Sequence, residues 1–216
     1  MAILRTNLRD QAKQEILTRL AAGSLLPGTS INEVQLAAEL NISRTPLREA
    51  LIALQQDGVI VSESGKGFSW APVSLQEFKE ITPIIAALEA LALTETPMDT
   101  LAGVAQHMLE VATAHSAESE RHSDLITADD SWHALFLNVC PNRRLVELIG
   151  SQKTALHRYE RLVVRDDAIV HRVAKEHLAV AECLLAGDKV GAIEALHLNW
   201  INSRDRLVAQ LEEQID

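Results

Sequence analysis

The stretch Asn41-Ile42-Ser43-Arg44-Thr45-Pro46-Leu47-Arg48-Glu49-Ala50-Leu51 constrains the fold more than any other part of the chain. It is built like the entry to a helix. Ser43 or Thr45 offers an N-cap oxygen to an orphan backbone N–H. Pro46 is tolerated because first-turn amides have no intrahelical partner. Arg44 and Arg48 stand four apart and project from nearly the same face, while Ala50, Leu51 and Leu54 fall on the other side and pack inward. A helix with two arginines and two hydroxyls at its N-terminal turn, and an apolar back, suits the major groove of DNA. Arginine binds guanine in a bidentate way, and hydroxyls and helix N-termini take phosphates. The plain alternative is a surface helix with solvated arginines, and the stretch alone does not separate the two.

Its neighbours do. Residues 8–22 carry apolar side chains at Ala12, Ile16, Leu17 and Leu20, a helical stripe that Gly23 stops. Leu26-Pro27-Gly28 is a turn. Asn32 with Gln35 resembles a capping box and opens a short helix through Leu40. Two short helices joined by the tight turn Asn41-Ile42 are the elements of a helix-turn-helix. Val59-Ile60-Val61 and Phe68-Ser69-Trp70 then flank the glycine turn Gly65-Lys66-Gly67, which predicts a two-stranded wing with Lys66 at its tip, placed to touch a phosphate.

This order of elements resembles the winged-helix domain of the GntR family of bacterial transcription regulators. The residues that carry the resemblance are Leu26-Pro27-Gly28, Leu36-Ala37, Ser43 to Leu51, Asp57-Gly58 and Gly65-Lys66-Gly67. The resemblance implies that Arg44, Thr45 and Arg48 contact DNA, with Ser43 beside them, and that Gly65 and Lys66 bring the wing to the minor groove. Some members carry a further DNA-contacting arginine where this chain has Val34.

Composition and charge divide the rest. Residues 1–75 hold seven Lys/Arg and seven Asp/Glu, while residues 76–216 hold 13 basic and 23 acidic, which accounts for the whole net charge of −10. Such asymmetry points to two domains with different partners: a DNA-binding domain over 1–72 and a second domain over 75–216, joined by Ala71-Pro72-Val73. Apolar residues make up 47% of the chain and aromatics only 3%, which favours helices packed on helices. There is no apolar run of membrane-spanning length and no signal-peptide pattern. Cys140 and Cys183 are too few for a disulfide framework, so a reducing cytoplasm is expected.

In the second domain, Ser74 with Glu77 begins an apolar helix in which Pro83 is expected to cause a kink or a stop. Further helices open at Thr96-Pro97, Ser123, Arg143 and Asp166-Asp167, and after Gly187-Asp188. The fold class is therefore mainly α, an N-terminal winged helix-turn-helix followed by an all-helical bundle of six or seven helices.

Asp129 and His133 stand four apart on one predicted helix and can reach a common point, which makes half of a transition-metal site. A capping Asp and a surface His explain the pair equally well. Later helices bring Glu176-His177 and Asn199. The layout resembles the FadR-type effector domain of the GntR family, the FCD domain. That resemblance implies a metal held by Asp129, His133 and His177, with Asn199 at the fourth position, where many relatives have His. His197 is the rival to Asn199, and Asp130 to Asp129. His107, His115, His122 and His171 lack convergent partners. His157 and Arg161, four apart, are candidates to line an effector pocket, and the arginine that often pairs with a ligand carboxylate in the family is Ile85 here.

The function expected is sequence-specific transcriptional regulation by a homodimer, acting on a double-stranded DNA operator as a repressor. A small carboxylate would control it through a zinc- or nickel-containing helical domain. A metal-dependent hydrolase built on Asp129, His133 and His177 is the enzyme alternative, and a metal sensor without organic ligand is the third.

Overall fold

A computed structural model describes residues 8–21, 27–63, 65, 67–117, 125–160 and 167–215. Among these are nine helices and one two-stranded sheet. Contacts divide the chain into two compact units, Met1–Ser74 with His157–Arg161, and Leu75–Leu156 with Leu162–Asp216.

The first unit runs α1 (Leu8–Ala21), α2 (Glu33–Glu39), α3 (Arg44–Gln56), β1 (Ile60–Glu63) and β2 (Gly67–Trp70). Asn32 caps α2, its side-chain oxygen accepting from the amides of Val34 and Gln35 at 3.1 Å each. The reciprocal half of the expected capping box is not made, because the Gln35 amide donates instead to Glu39, one turn on, at 2.9 Å. The turn into α3 depends on Asn41, whose φ of 52° lets the amides of Asn41 and Ile42 close back on the carbonyls of Ala38 and Ala37. This is a helix-terminating motif that asparagine tolerates and β-branched residues do not. Gly58, at φ 72°, ends α3 in the same way through Gln55 and Leu54.

The strands pair antiparallel in the register Ile60↔Trp70 to Glu63↔Gly67. The segment after the Pro27-Gly28 turn adds to the free edge of β2, with Ile31 N donating to Phe68 O and Trp70 N to Thr29 O. Ile16, Leu36, Leu47, Leu51, Leu54, Val59, Ile60, Phe68 and Trp70 form one apolar core beneath these elements. Ala71 belongs to this fold rather than to a free linker: it is buried and its amide donates to Val59 O.

Six further helices are described: α4 (Leu75–Glu95), α5 (Met98–Ala117), α6 (Leu125–Leu137), α7 (Arg143–Glu160), α8 (Asp167–Leu185) and α9 (Lys189–Ile215); all but the last turn of α7 lie in the second unit. The α8 helix packs on α5 and α9, α4 packs on α9 and α6, and α5 packs on α6. Pro83 does not end a helix, because α4 runs through it. Its ring lies on the exposed face, and Thr82 donates its hydroxyl to Phe78 O at 2.8 Å, holding the turn that precedes it. Thr96 ends α4 rather than opening α5, its buried hydroxyl donating to Ala92 O at 2.7 Å. Lys189 then donates to the Thr96 carbonyl at 2.6 Å, a cation at a helix C-terminus. Asn142 caps α7 through the Leu145 amide, and Asp188 caps α9 through the Gly191 amide. No single described helix is long and apolar enough to cross a membrane.

Candidate DNA-reading face and metal centre

Leu47, Ala50, Leu51 and Leu54 bury the inner face of α3, which leaves Arg44, Thr45, Arg48 and Glu49 exposed on the outer one. Ser43 stands at the N-cap with extended backbone (φ −75°, ψ 162°), but its hydroxyl makes no capping bond. Thr45 lies inside the helix, so neither hydroxyl is spent as the expected cap. The two arginines converge on Glu33, the first residue of α2. Arg48 Nε lies 3.2 Å and Arg44 Nη2 3.8 Å from the same oxygen, Oε2. Arg48 also sits over the Phe68 ring of β2, 6.0 Å from its centroid. Glu33 thus lies against both arginines, and Phe68 against Arg48 alone. Val34, at the place of the family's additional arginine, is 63% exposed. Gly65 turns the wing at φ 81°, and Lys66 lies outside the described residues.

In the helical unit three ligand-type side chains from two helices meet. Asp129 and His133 come from α6 and His177 from α8, and one ligand atom of each lies within 4.8 Å of the others. His177 Nε2 is 3.3 Å from Asp129 Oδ1, and His133 Nε2 is 3.8 Å from Asp129 Oδ2. The second separation is too long for a hydrogen bond. Ligand atoms around a tetrahedral zinc at about 2.1 Å stand roughly 3.4 Å apart; the 3.3 Å between His177 and Asp129 matches this, and the 3.8 Å between His133 and Asp129 is longer. Both histidines are 1% exposed, and neither ring nitrogen of His177 makes a hydrogen bond of good geometry. A buried imidazole that meets its carboxylate neighbour only in poor geometry costs free energy that a metal ion between them would offset. The donor set of one carboxylate and two imidazoles fits zinc or nickel better than magnesium or calcium.

The surroundings fix the ligands. The Trp132 ring stacks on His177, with centroids 3.8 Å apart and planes within 1°, and its own indole N–H donates to Met108 O. His133 Nδ1 lies 2.7 Å from Glu89 Oε2. Glu89, on α4, is wholly buried and also meets Trp200 Nε1 at 2.8 Å and Lys153 Nζ at 3.1 Å. Lys153 reaches Asp130 as well, at 3.4 Å.

Burial alone would raise the Glu89 pKa, but His133, Lys153 and Trp200 outweigh it and hold the carboxyl down at about 2. Asp129 is likewise opposed by burial, yet His177, His133 and Lys153 keep it well below the usual carboxylate range. Burial would lower Lys153; Glu89, Asp130 and Asp129 together raise it. For His177 burial wins and its pKa falls, which favours the neutral ligand form.

The rivals separate. Asn199 is buried and His197 exposed, and Asp130 turns to Lys153 rather than to the histidines. Asn199 Nδ2 donates to Glu176 Oε2 at 3.1 Å, leaving Oδ1 as its only ligand-type atom. His107 is exposed, His115 and His171 are half-buried, and His122 lies outside the described residues. His157 is half-buried one turn beyond Lys153 on α7, and Arg161 lies outside the described residues. Sequence reasoning missed Glu89, Lys153, Trp132 and Trp200. The one available signal was a lone carboxylate in the apolar run Ile84 to Leu93.

A winged helix with an arginine-bearing recognition helix, followed by a helical domain with a buried Asp/His/His cluster, defines a class of DNA-binding regulator. Residues 8–69 match the model of the bacterial regulatory proteins of the gntR family, and residues 79–199 match the FCD domain. The chain belongs to the GntR family of transcriptional regulators, with an FCD domain, and it is not an enzyme. It is 26% identical over 196 residues to the HTH-type transcriptional regulator YdhC of Bacillus subtilis, covering 88% of this chain and 87% of that one. It is 24% identical to the HTH-type transcriptional repressor RspR of Escherichia coli, covering 86% and 83%. Among solved structures, E. coli McbR/YncC matches with a TM-score of 0.77 at 22% identity over 95% of this chain and 99% of that one. A GntR regulator from Rhodococcus sp. RHA1 matches at 0.76 and 17%, over 93% and 97%.

Proposed function

We propose that this regulator is a cytoplasmic homodimeric repressor released from a palindromic operator by a small carboxylate. The observation that carries the proposal is the buried Asp129/His133/His177 cluster in the same chain as the Arg44/Arg48 face. Asp129, His133 and His177 would hold zinc or nickel, with Asn199 Oδ1 as a weaker fourth donor. When bound, the ion supplies a concentrated positive charge for an anionic ligand. His157 and Arg161, four apart in sequence, are proposed as further candidates to contact the effector.

Ser43, Arg44, Thr45 and Arg48 would read the major groove, and Gly65 and Lys66 would follow the backbone at the wing. Dimerisation is supported by α4, where Ile84, Ala87 and Leu91 stand exposed along one face, an apolar stripe that suits an isologous contact. Coupling between sites is reciprocal, so operator DNA weakens carboxylate binding by the factor by which carboxylate weakens DNA binding.

The test combines elemental analysis of untagged protein with calorimetry and DNA-binding titrations over a panel of small carboxylates. One zinc or nickel per chain, with a carboxylate that lowers operator affinity, is the result expected. Metal uptake with no carboxylate effect, but with operator affinity that changes on chelation, would replace the proposal by metal sensing. Absence of metal uptake would overturn it.

A further inference from the structure

We propose that Glu89 is the positioning residue of the metal centre: it holds His133 with its proton on Nδ1, so that Nε2 is the ligating nitrogen. The inference rests on the metal site proposed above and extends it to a residue outside the ligand set.

The argument is a donor and acceptor inventory. Trp200 Nε1 can only donate, and so can the Lys153 ammonium. Trp200 donates to Glu89 Oε2 at 2.8 Å, and the ammonium stands 3.1 Å from Oε1 as an ion pair without a hydrogen bond of good geometry. A proton on either carboxyl oxygen would face a donor, so Glu89 stands ionised and acceptor-only. His133 Nδ1, 2.7 Å from Oε2, must then be an N–H. A neutral imidazole with its proton on Nδ1 presents a bare lone pair at Nε2. That nitrogen faces Asp129 at 3.8 Å, too far for a proton there to be hydrogen-bonded.

The ring cannot easily turn away. Its packing against Trp132 and Trp200, with centroids 5.0 and 5.4 Å distant, fills the space around it. Glu89 meets His133 and Trp200 through Oε2 and is ion-paired with Lys153 through Oε1. Besides His133 on α6, its partners are Lys153 on α7 and Trp200 on α9, so a single carboxylate on α4 ties the ligand to three other helices. Outer partners of this kind typically contribute ten- to hundredfold in metal affinity.

The test uses full-length metal-free protein with 15N-labelled histidine, in a background where charge is removed together with its partner. E89M/K153M deletes the acceptor, and E89Q/K153M restores a neutral acceptor oxygen for His133 and Trp200. Long-range 15N–1H correlation reads the His133 tautomer, and competition titration reads zinc affinity. Expected is a protonated Nδ1 in K153M and in E89Q/K153M, and a loss of that preference in E89M/K153M, with zinc binding about ten- to hundredfold weaker. A purely structural role would move both double variants alike. The inference is overturned if E89M/K153M keeps the tautomer and the affinity, or if the glutamine fails to restore them in a protein that melts normally. The tautomer is read without metal. A wild-type protein that takes up no zinc therefore sinks the proposed metal site, while the NMR measurement still decides the pairing of Glu89 with His133.

Discussion

Removing the Lys153 ammonium should destabilise the helical unit by a predictable amount and with a predictable pH dependence. Lys153 Nζ sits 3.1 Å from Glu89 Oε1, and at an effective dielectric of about 20 that separation corresponds to about 5 kcal/mol of attraction. Not all of it is lost in Lys153→Met. Glu89 keeps His133 and Trp200 as donors, and the methionine regains packing. Breaking a buried pair from one side costs about 3–5 kcal/mol, and the retained donors place this variant at the lower end, about 3 kcal/mol. For a chain of this size that corresponds to roughly 6–12 °C in Tm.

The pH dependence follows from the direction of the Glu89 shift. Its folded pKa, about 2, lies below its unfolded value. Its stabilisation is therefore present above the unfolded pKa of about 4.3 and is lost as pH falls towards 2. Without Lys153 the folded pKa rises, so the variant loses less on acidification than wild type does. The gap between the two proteins should be widest at neutral pH and should narrow below pH 4. Thermal and urea melts of chelated protein, followed by circular dichroism across this range, measure it. A gap under about 1 kcal/mol at pH 7, or one that does not change with pH, would refute the view that Lys153 matters as the counter-charge of Glu89.

Arg44→Ala should lose about 1–3 kcal/mol against a selected operator and relax base choice at one position, read by binding titrations on operator variants; equal affinity for the selected site would remove Arg44 from groove reading. Lys66→Ala should weaken binding to all sequences alike and flatten the salt dependence by about one ion, read from the slope of log affinity against log salt. Leu51→Ala empties a fully buried position under the recognition helix and should cost about 2–5 kcal/mol in the folding of the first unit; a melt unchanged within 1 kcal/mol would show that α3 is held some other way. Ile84→Asp with Leu91→Asp should yield a monomer in light scattering at micromolar concentration, and a persistent dimer would move the interface off this face of α4.

The winged helix was legible because its signals are local. Asn41 and Gly58 mark two helix ends by the backbone conformation they permit, and the strands around Gly65 pair within a few residues. Asp129 and His133 were legible for the same reason, since four residues along a helix bring two side chains to one face. His177 needed the family resemblance as well, because nothing near it in sequence points to α6. Glu89 and its partners were not legible as a group. The contact from Glu89 to His133 spans 44 residues and that to Trp200 spans 111, and no periodicity encodes which helices meet. Pro83 shows the opposite error. A local rule predicted a kink or a stop, and the stop does not occur: α4 runs through Pro83 with Phe78, Ile81, Ile85 and Ala86 buried on its inner face.

Two positions of the helical domain at which the chain departs from its family's pattern, Ile85 and Asn199, can be understood together. Ile85 is fully buried and lies one turn before Glu89 on α4, so α4 contributes an anion and no cation to the centre. The cation comes instead from α7, as Lys153, and it lies against Glu89 rather than standing free. At the other side Asn199 brings no imidazole, and its amide nitrogen is taken by Glu176, which also accepts from Asn202 at 2.9 Å and from both terminal nitrogens of Arg206 at 2.7 and 3.0 Å. Glu176 precedes the ligand His177 on α8, so these bonds tie the ligand-bearing turn of α8 to α9 without using the metal. The Asp129/His133/His177 centre is thus braced by two carboxylates outside it, Glu89 behind His133 and Glu176 beside His177. Bracing of this kind fixes three strong donors and leaves the fourth position to a weak oxygen. If the centre takes the ion proposed for it, that combination would hold the ion and leave part of its coordination sphere to an incoming anion.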